Sequence, residues 1–148
     1  MKIISHRGNL IGQDISWENH PDYIKAAVSV GFDVEIDVWY ISGALFLGHD
    51  SPQYSINKNF LKDLPLWCHA KNIEALEYMV NSKLHCFWHE TDKVVLTSKN
   101  YLWTFKNNIL TSNSICVLPE LQLDVSYDNA YGICTDYPIK YKQLLDIL

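Results

Sequence analysis

The stretch FDVEIDVWYISGALFLGHD, residues 32–50, decides how this chain is read. Its first nine residues alternate. Val34, Ile36 and Val38 fall on one face of an extended strand, and Asp33, Glu35 and Asp37 on the other. Ser42-Gly43 is a hairpin-type turn signal, so residues 44–50 read as a returning strand. Glu35 and Asp37 are two positions apart, and both carboxylates therefore point to the same side. Two ionised carboxylates side by side are costly unless a cation or hydrogen-bond donors compensate them. Hard divalent ions such as Mg2+ and Ca2+ take oxygen ligands, so a shared cation is one solution. A solvated acidic strand face produces the same pattern.

On either side of this stretch, strand-like runs dominate the chain. They occupy residues 2–5, 64–70, 84–90, 93–98, 114–120 and 131–136, with a shorter one at 101–105. Nearly all end in a group of catalytic type: His6 and Arg7, His49 and Asp50, His69 and Lys71, His89 and Glu90, Glu120, and Asp136. Such groups gathered at the C-terminal ends of successive strands are what the active face of a β/α barrel produces. Strands that simply end in polar loops are the ordinary alternative. Helical patterns are fewer. Residues 21–30 open on Pro21, residues 72–79 have Asn72 as cap, and residues 139–148 place Tyr141, Leu144, Leu145 and Leu148 at helical spacing. Residues 60–64 can hold one turn. No repeat or linker interrupts the chain, which reads as one domain over residues 1–148.

Composition narrows the function classes. The 148 residues are 48% hydrophobic and 13% aromatic, which excludes a disordered chain and allows a real core. A net charge of -5 argues against a general nucleic-acid binder, which needs a basic face. The N-terminus lacks the apolar stretch of a signal peptide, and no window approaches the roughly 18 apolar residues of a membrane span. Cys68, Cys86, Cys116 and Cys134 each sit in an apolar run without a C-x-x-C pair. They read as buried, reduced thiols, and a cytoplasmic location is expected.

His6 and His49 each follow an apolar run and precede a turn-like segment. Two histidines flanking a metal can divide general-acid and general-base work near neutral pH. Two unrelated histidines among six look the same in sequence. Arg7 beside His6 adds a contact suited to a phosphate. Trp39 shares the parity of Glu35 and Asp37 and could line the same pocket, although core packing is its commoner use.

The ordered set HRGN (6–9), WENHP (17–21), a glycine before the second strand, EID (35–37) and GHD (48–50) resembles the N-terminal signature of glycerophosphodiester phosphodiesterases. GICTDYP (132–138) resembles that family's last-strand segment more weakly. The resemblance implies His6 and His49 as the acid/base pair, Arg7 as a phosphate contact, and Glu35 and Asp37 as ligands of Mg2+ or Ca2+. It places Glu18 near the site. The family's next strand carries E-x-K; here the segment is His69-Ala70-Lys71, which keeps the phosphate-contacting lysine and puts a histidine at the third ligand position. Glu120 and Asp136, at later strand ends, are expected in or around the pocket.

The implied function is metal-dependent hydrolysis of a small-molecule glycerophosphodiester, with a place in lipid metabolism. The alternative is a phosphate- or phosphodiester-binding module of the same fold with weak or no turnover. An ordinary barrel of this type needs about 250 residues, so the fold expected here is α/β, a reduced, helix-poor TIM-like (β/α) barrel. Its missing helices would bare apolar outer surface, for which a second copy of the chain is a candidate cover.

Overall fold

In the computed structural model, which describes residues 1–106 and 108–146, ten strands form one sheet. The strands are β1 (Lys2–His6), β2 (Asp33–Ile41), β3 (Ala44–Leu47), β4 (Tyr54–Ile56), β5 (Leu66–Ala70), β6 (Cys86–Phe87), β7 (Val94–Leu96), β8 (Leu102–Thr104), β9 (Ser114–Val117) and β10 (Gly132–Thr135). Four α-helices accompany them: α1 (Pro21–Ser29), α2 (Lys58–Asp63), α3 (Ile73–Asn81) and α4 (Pro138–Leu145). Position 148, the last apolar position expected on the C-terminal helix, lies outside the described residues.

The main path of the sheet runs β6-β5-β2-β1-β10-β9-β8-β7. Its ladders are parallel from β6 to β8, and β7 pairs antiparallel with β8. β3 and β4 branch antiparallel from the far end of β2. The sheet is thus an open, strongly curled half-barrel of eight strands, and the expectation of a closed TIM-like barrel is corrected. Among the described residues no ladder joins β6 to β7. The edge at β6 meets the chain beyond β7 through Ser98. Its N–H donates to the Cys86 carbonyl at 2.9 Å, and its hydroxyl accepts from the Cys86 N–H at 2.9 Å.

The reason lies in the connections. A parallel crossover usually needs a dozen or more residues. Only residues 88–93 separate β6 from β7, and only residues 97–101 separate β7 from β8. The second link suits an antiparallel hairpin, and that is what forms. The α/β, helix-poor character stands. Membership of the phosphodiesterase family does not, because the closed barrel that the resemblance implies is not formed.

Helices α1 and α3 pack on the outer face of β2. Val34, Ile36 and Val38 are fully buried there against Ile24 and Ala27 of α1 and Ala75 and Met79 of α3. Each such side chain contributes roughly 1.5–3 kcal/mol by leaving water. Asn72 fixes α3 in place. Its side-chain oxygen accepts from Ala75 N–H as an N-cap and from the backbone N–H of Tyr40, and its amide donates to the Tyr40 carbonyl. The opposite parity faces into the curl. Ile4, Trp67, Phe87, Trp103, Ile115, Val117 and Cys134 form an apolar cluster inside it. The site sits above this plug, toward the C-terminal ends of the parallel strands. All four cysteines are free and buried.

Candidate functional site

Register places the polar groups. His6 pairs in the ladder with Glu35, and Asp37 pairs with His69, so three adjacent strands present their inward side chains at two successive levels. Glu35 is 3% exposed, Asp37 0% and His69 7%. The acidic face of β2 is therefore buried rather than solvated. Burial, and then the charge of neighbouring Asp37, push the Glu35 carboxyl above the ordinary range. Asp37 moves the other way. Burial would raise it, but the adjacent His69 ring, Arg7 and Lys71 outweigh that and hold it well below the usual carboxylate range.

The Asp37 carboxylate has one committed oxygen and one open one. Oδ2 accepts from Asn19 Nδ2 at 2.8 Å and lies 3.1 Å from Arg7 Nε. Oδ1 lies 3.1 Å from His69 Nδ1 and 3.7 Å from Lys71 Nζ, yet none of the described residues makes an aligned hydrogen bond to it. Buried Glu35 Oε2 is likewise without a hydrogen-bond partner among them. His69 Nδ1 is 4.0 Å from Glu35 Oε1. On the far side of the ring, Nε2 is 3.2 Å from the His89 carbonyl, which can accept a hydrogen bond from it. Glu35, Asp37 and His69 each offer a ligand atom, all within 4.8 Å of one another.

A second buried cluster, His6, Glu18 and Asp136, meets the same distance test. Both clusters are able to hold a divalent cation or to bind a phosphate group. In the second, the atoms already have partners. His6 Nδ1 is 2.7 Å from Asp136 Oδ1, Asn9 Nδ2 donates to Asp136 Oδ1 and Glu18 Oε1, and Arg7 Nη1 donates to Glu18 Oε2 at 3.0 Å. Burial lowers the His6 pKa, but the hydrogen bond to Asp136 and the charge of Glu35 more than reverse it, leaving it above the usual value. Asp136 is held low despite burial by its hydrogen bond to that ring.

The turn after β1 makes this arrangement possible. Arg7 has φ 53° and Gly8 φ 91°, which reverse the chain so that Asn9 N–H reaches the His6 carbonyl at 2.9 Å. A Cβ on Gly8 would sit 2.9 Å from a Tyr23 ring carbon, so glycine is required for space as well as conformation.

A pocket of about 430 Å³ opens over the first cluster. His6, Arg7, Glu35, His49, His69 and Lys71 line it, with Trp88, Trp103 and Phe105 as apolar wall. The half-exposed His49 contacts Asp50 at 2.7 Å through Nδ1. Trp39 is not part of the lining. Its Nε1 donates to the Gly48 carbonyl at 2.6 Å, which holds the loop that carries His49. Glu120 is also outside the pocket; it accepts from the Thr135 hydroxyl and the Asp136 N–H and so positions Asp136.

Sequence reasoning missed the roles of Asn9 and Asn19, and placed His89 only among the polar strand ends. The two asparagines stand in HRGN and WENH, where turn chemistry is the default reading of asparagine. His89 lies in a strand-end run and supplies the carbonyl behind His69.

Comparison of the chain with protein-family models, of its sequence with curated proteins and of its fold with solved structures finds no match. The class defined by fold and site is therefore structural: a helix-poor α/β half-barrel with two buried His/carboxylate clusters at its strand ends. The phosphodiester hydrolase expected from the resemblance is corrected with the fold, since its closed ring of strand ends is interrupted between β6 and β7. Among the described residues no helix is long and apolar enough to cross a membrane.

Proposed function

We propose that the chain binds a phosphate or phosphodiester group, with a divalent cation at Glu35, Asp37 and His69 as the main anchor. The observation carrying this reading is the pair of buried carboxylate oxygens without an aligned hydrogen bond, Glu35 Oε2 and Asp37 Oδ1, with Nδ1 of His69 3.1 Å from the second. Buried polar atoms normally have aligned hydrogen-bond partners, and a cation between the two strands would satisfy both oxygens. Arg7 and Lys71 line the same pocket and supply the positive charge that a phosphate requires. Their charge is shared with Glu18 and Asp37, so without a cation the pocket is nearly neutral overall and a weak anion trap. His6 and His49 complete the lining as hydrogen-bond donors to phosphate oxygens.

Calorimetry with inorganic phosphate and with dimethyl phosphate, each in the presence of divalent cation and of chelator, tests this reading. Binding should require the cation and should fall at least about tenfold in Lys71→Ala, the loss of one charge-assisted contact. Equal binding in chelator, or none in any cation, contradicts it.

A further inference from the structure

We infer that the cation site selects a first-row transition ion, of the Mn2+ to Zn2+ series, over Mg2+ and Ca2+. This rests on the cation reading above and concerns the same three residues. The Mg2+ or Ca2+ implied by the resemblance fits them poorly, for three independent reasons.

The first is the nitrogen donor. His69 Nδ1 lies 3.1 Å from Asp37 Oδ1 and 4.0 Å from Glu35 Oε1, and the His89 carbonyl, 3.2 Å from Nε2, holds the ring in that orientation. A proton on Nδ1 would offer a metal-free alternative, an imidazolium paired with Asp37. Asp37 Oδ1 receives no aligned hydrogen bond in that pair, and a bound transition ion would displace the proton and take the nitrogen as its ligand. The ring is also locked. It stacks on Phe87 with centroids 5.2 Å apart and on His89 at 4.6 Å. A rigid imidazole nitrogen strengthens binding of transition ions and does little for hard ones.

The second reason is denticity. Ca2+ takes six to eight oxygens and commonly uses bidentate carboxylates. Asp37 cannot chelate in that way, because Oδ2 is held by Asn19 and faces Arg7. It offers Oδ1 alone.

The third is charge. Hard ions are held by the negative charge of their oxygens. Here Arg7 and Lys71 both approach Asp37, so the field at the site is much weaker than two free carboxylates would give. Partly covalent donation from nitrogen is what remains to favour one ion over another.

The test uses the full chain stripped of metal, titrated calorimetrically with Zn2+, Co2+, Mg2+ and Ca2+ in the absence of phosphate. Zn2+ and Co2+ should bind at least about 100-fold more tightly than Mg2+ or Ca2+. His69→Glu should shrink that ratio at least tenfold and shift the visible absorption of bound Co2+. Mg2+ or Ca2+ binding as tightly as Zn2+, or an unchanged ratio in a folded His69→Glu protein, overturns the inference. Should that variant not fold, pulsed EPR of the unaltered protein loaded with Mn2+ decides. A directly bound imidazole gives 14N coupling, and its absence overturns the nitrogen ligand. The outcomes also separate the two readings. Selectivity without phosphate binding removes the proposed function alone, and phosphate binding supported equally by Mg2+ removes the selectivity alone.

Discussion

Asn19 and Asp37 hold each other by two hydrogen bonds. Asn19 Nδ2 donates to Asp37 Oδ2 at 2.8 Å, and the Asp37 backbone N–H donates to Asn19 Oδ1 at 2.9 Å. The loop before α1 is thereby fastened to the middle of β2, and the choice of which Asp37 oxygen stays open is made by that contact. Asn19 itself has φ 63°, a conformation asparagine tolerates better than most residues. Asn19→Ala should cost about 1–3 kcal/mol in urea unfolding, from a buried carboxylate and a backbone N–H left short of a partner. Cation affinity should fall about 10–100-fold as the ligand loses its orientation. A stable variant with unchanged cation affinity would show that the contact positions nothing.

The two carboxylates of β2 should respond differently to neutralisation. Glu35 is buried with an orphaned oxygen and a raised pKa, so Glu35→Gln should leave the metal-free protein as stable as before or more so, while cation affinity falls more than about 100-fold. Asp37 is the partner of Arg7, Lys71 and His69, so Asp37→Asn should lose cation binding and also destabilise the fold by about 3–5 kcal/mol. Calorimetry and chemical denaturation on the same two samples check the contrast. Equal destabilisation by both changes would contradict it.

Gly48 shapes the loop that carries His49. It has φ 149°, and a Cβ there would clash with the Ser51 carbonyl oxygen. Gly48→Ala should force the loop open, cost about 1–3 kcal/mol, and weaken phosphate binding through displacement of His49. Thermal unfolding together with phosphate titration measures both. A variant with wild-type values in each would remove this loop from the account.

His85 supplies a pH signature away from the site. It packs against Trp67 with ring centroids 4.1 Å apart, and Nε2 lies 2.9 Å from the Thr97 hydroxyl. Burial, and then the charge of Lys99, bring its pKa down to about 4 from 6.5. The unfolded chain binds this proton near pH 6.5 and the folded chain does not. Its contribution to stability is complete above pH 6.5 and is lost progressively as the pH falls toward 4. Comparison of the native protein with His85→Gln across pH 7.5 to 4 should show the stability difference moving against the native protein as pH falls. A difference independent of pH would place the His85 titration at its ordinary value.

What the sequence revealed followed from short-range rules. The period of two on residues 33–38 put Glu35 and Asp37 on one face, and the structure buries that face beside His69. The Pro21 and Asn72 helix starts came from local capping chemistry and match α1 and α3. The short β4 escaped notice, because SPQYSIN reads as turn rather than strand. The failure on closure has a different origin. The short link over residues 97–101 already suits a β7–β8 hairpin, but whether the ring closes depends on tertiary pairing of β6 with β7, which single-strand patterns do not encode and which no ladder makes among the described residues. Asn9 and Asn19 were hidden for a related reason. Their importance arises from the carboxylates they meet across the fold, Asp136 and Glu18 for one and Asp37 for the other.

In the proposed function, Glu35, Asp37 and His69 hold a cation that in turn holds a phosphate. Its most direct measurement is the phosphate isotherm of the metal-stripped chain, recorded before and after addition of one equivalent of Zn2+ or Mn2+. No measurable binding is expected before addition, with saturable binding of one phosphate per chain after it and loss of that binding in Glu35→Gln. Phosphate binding of equal affinity with and without the ion, or binding that survives Glu35→Gln unchanged, would contradict it.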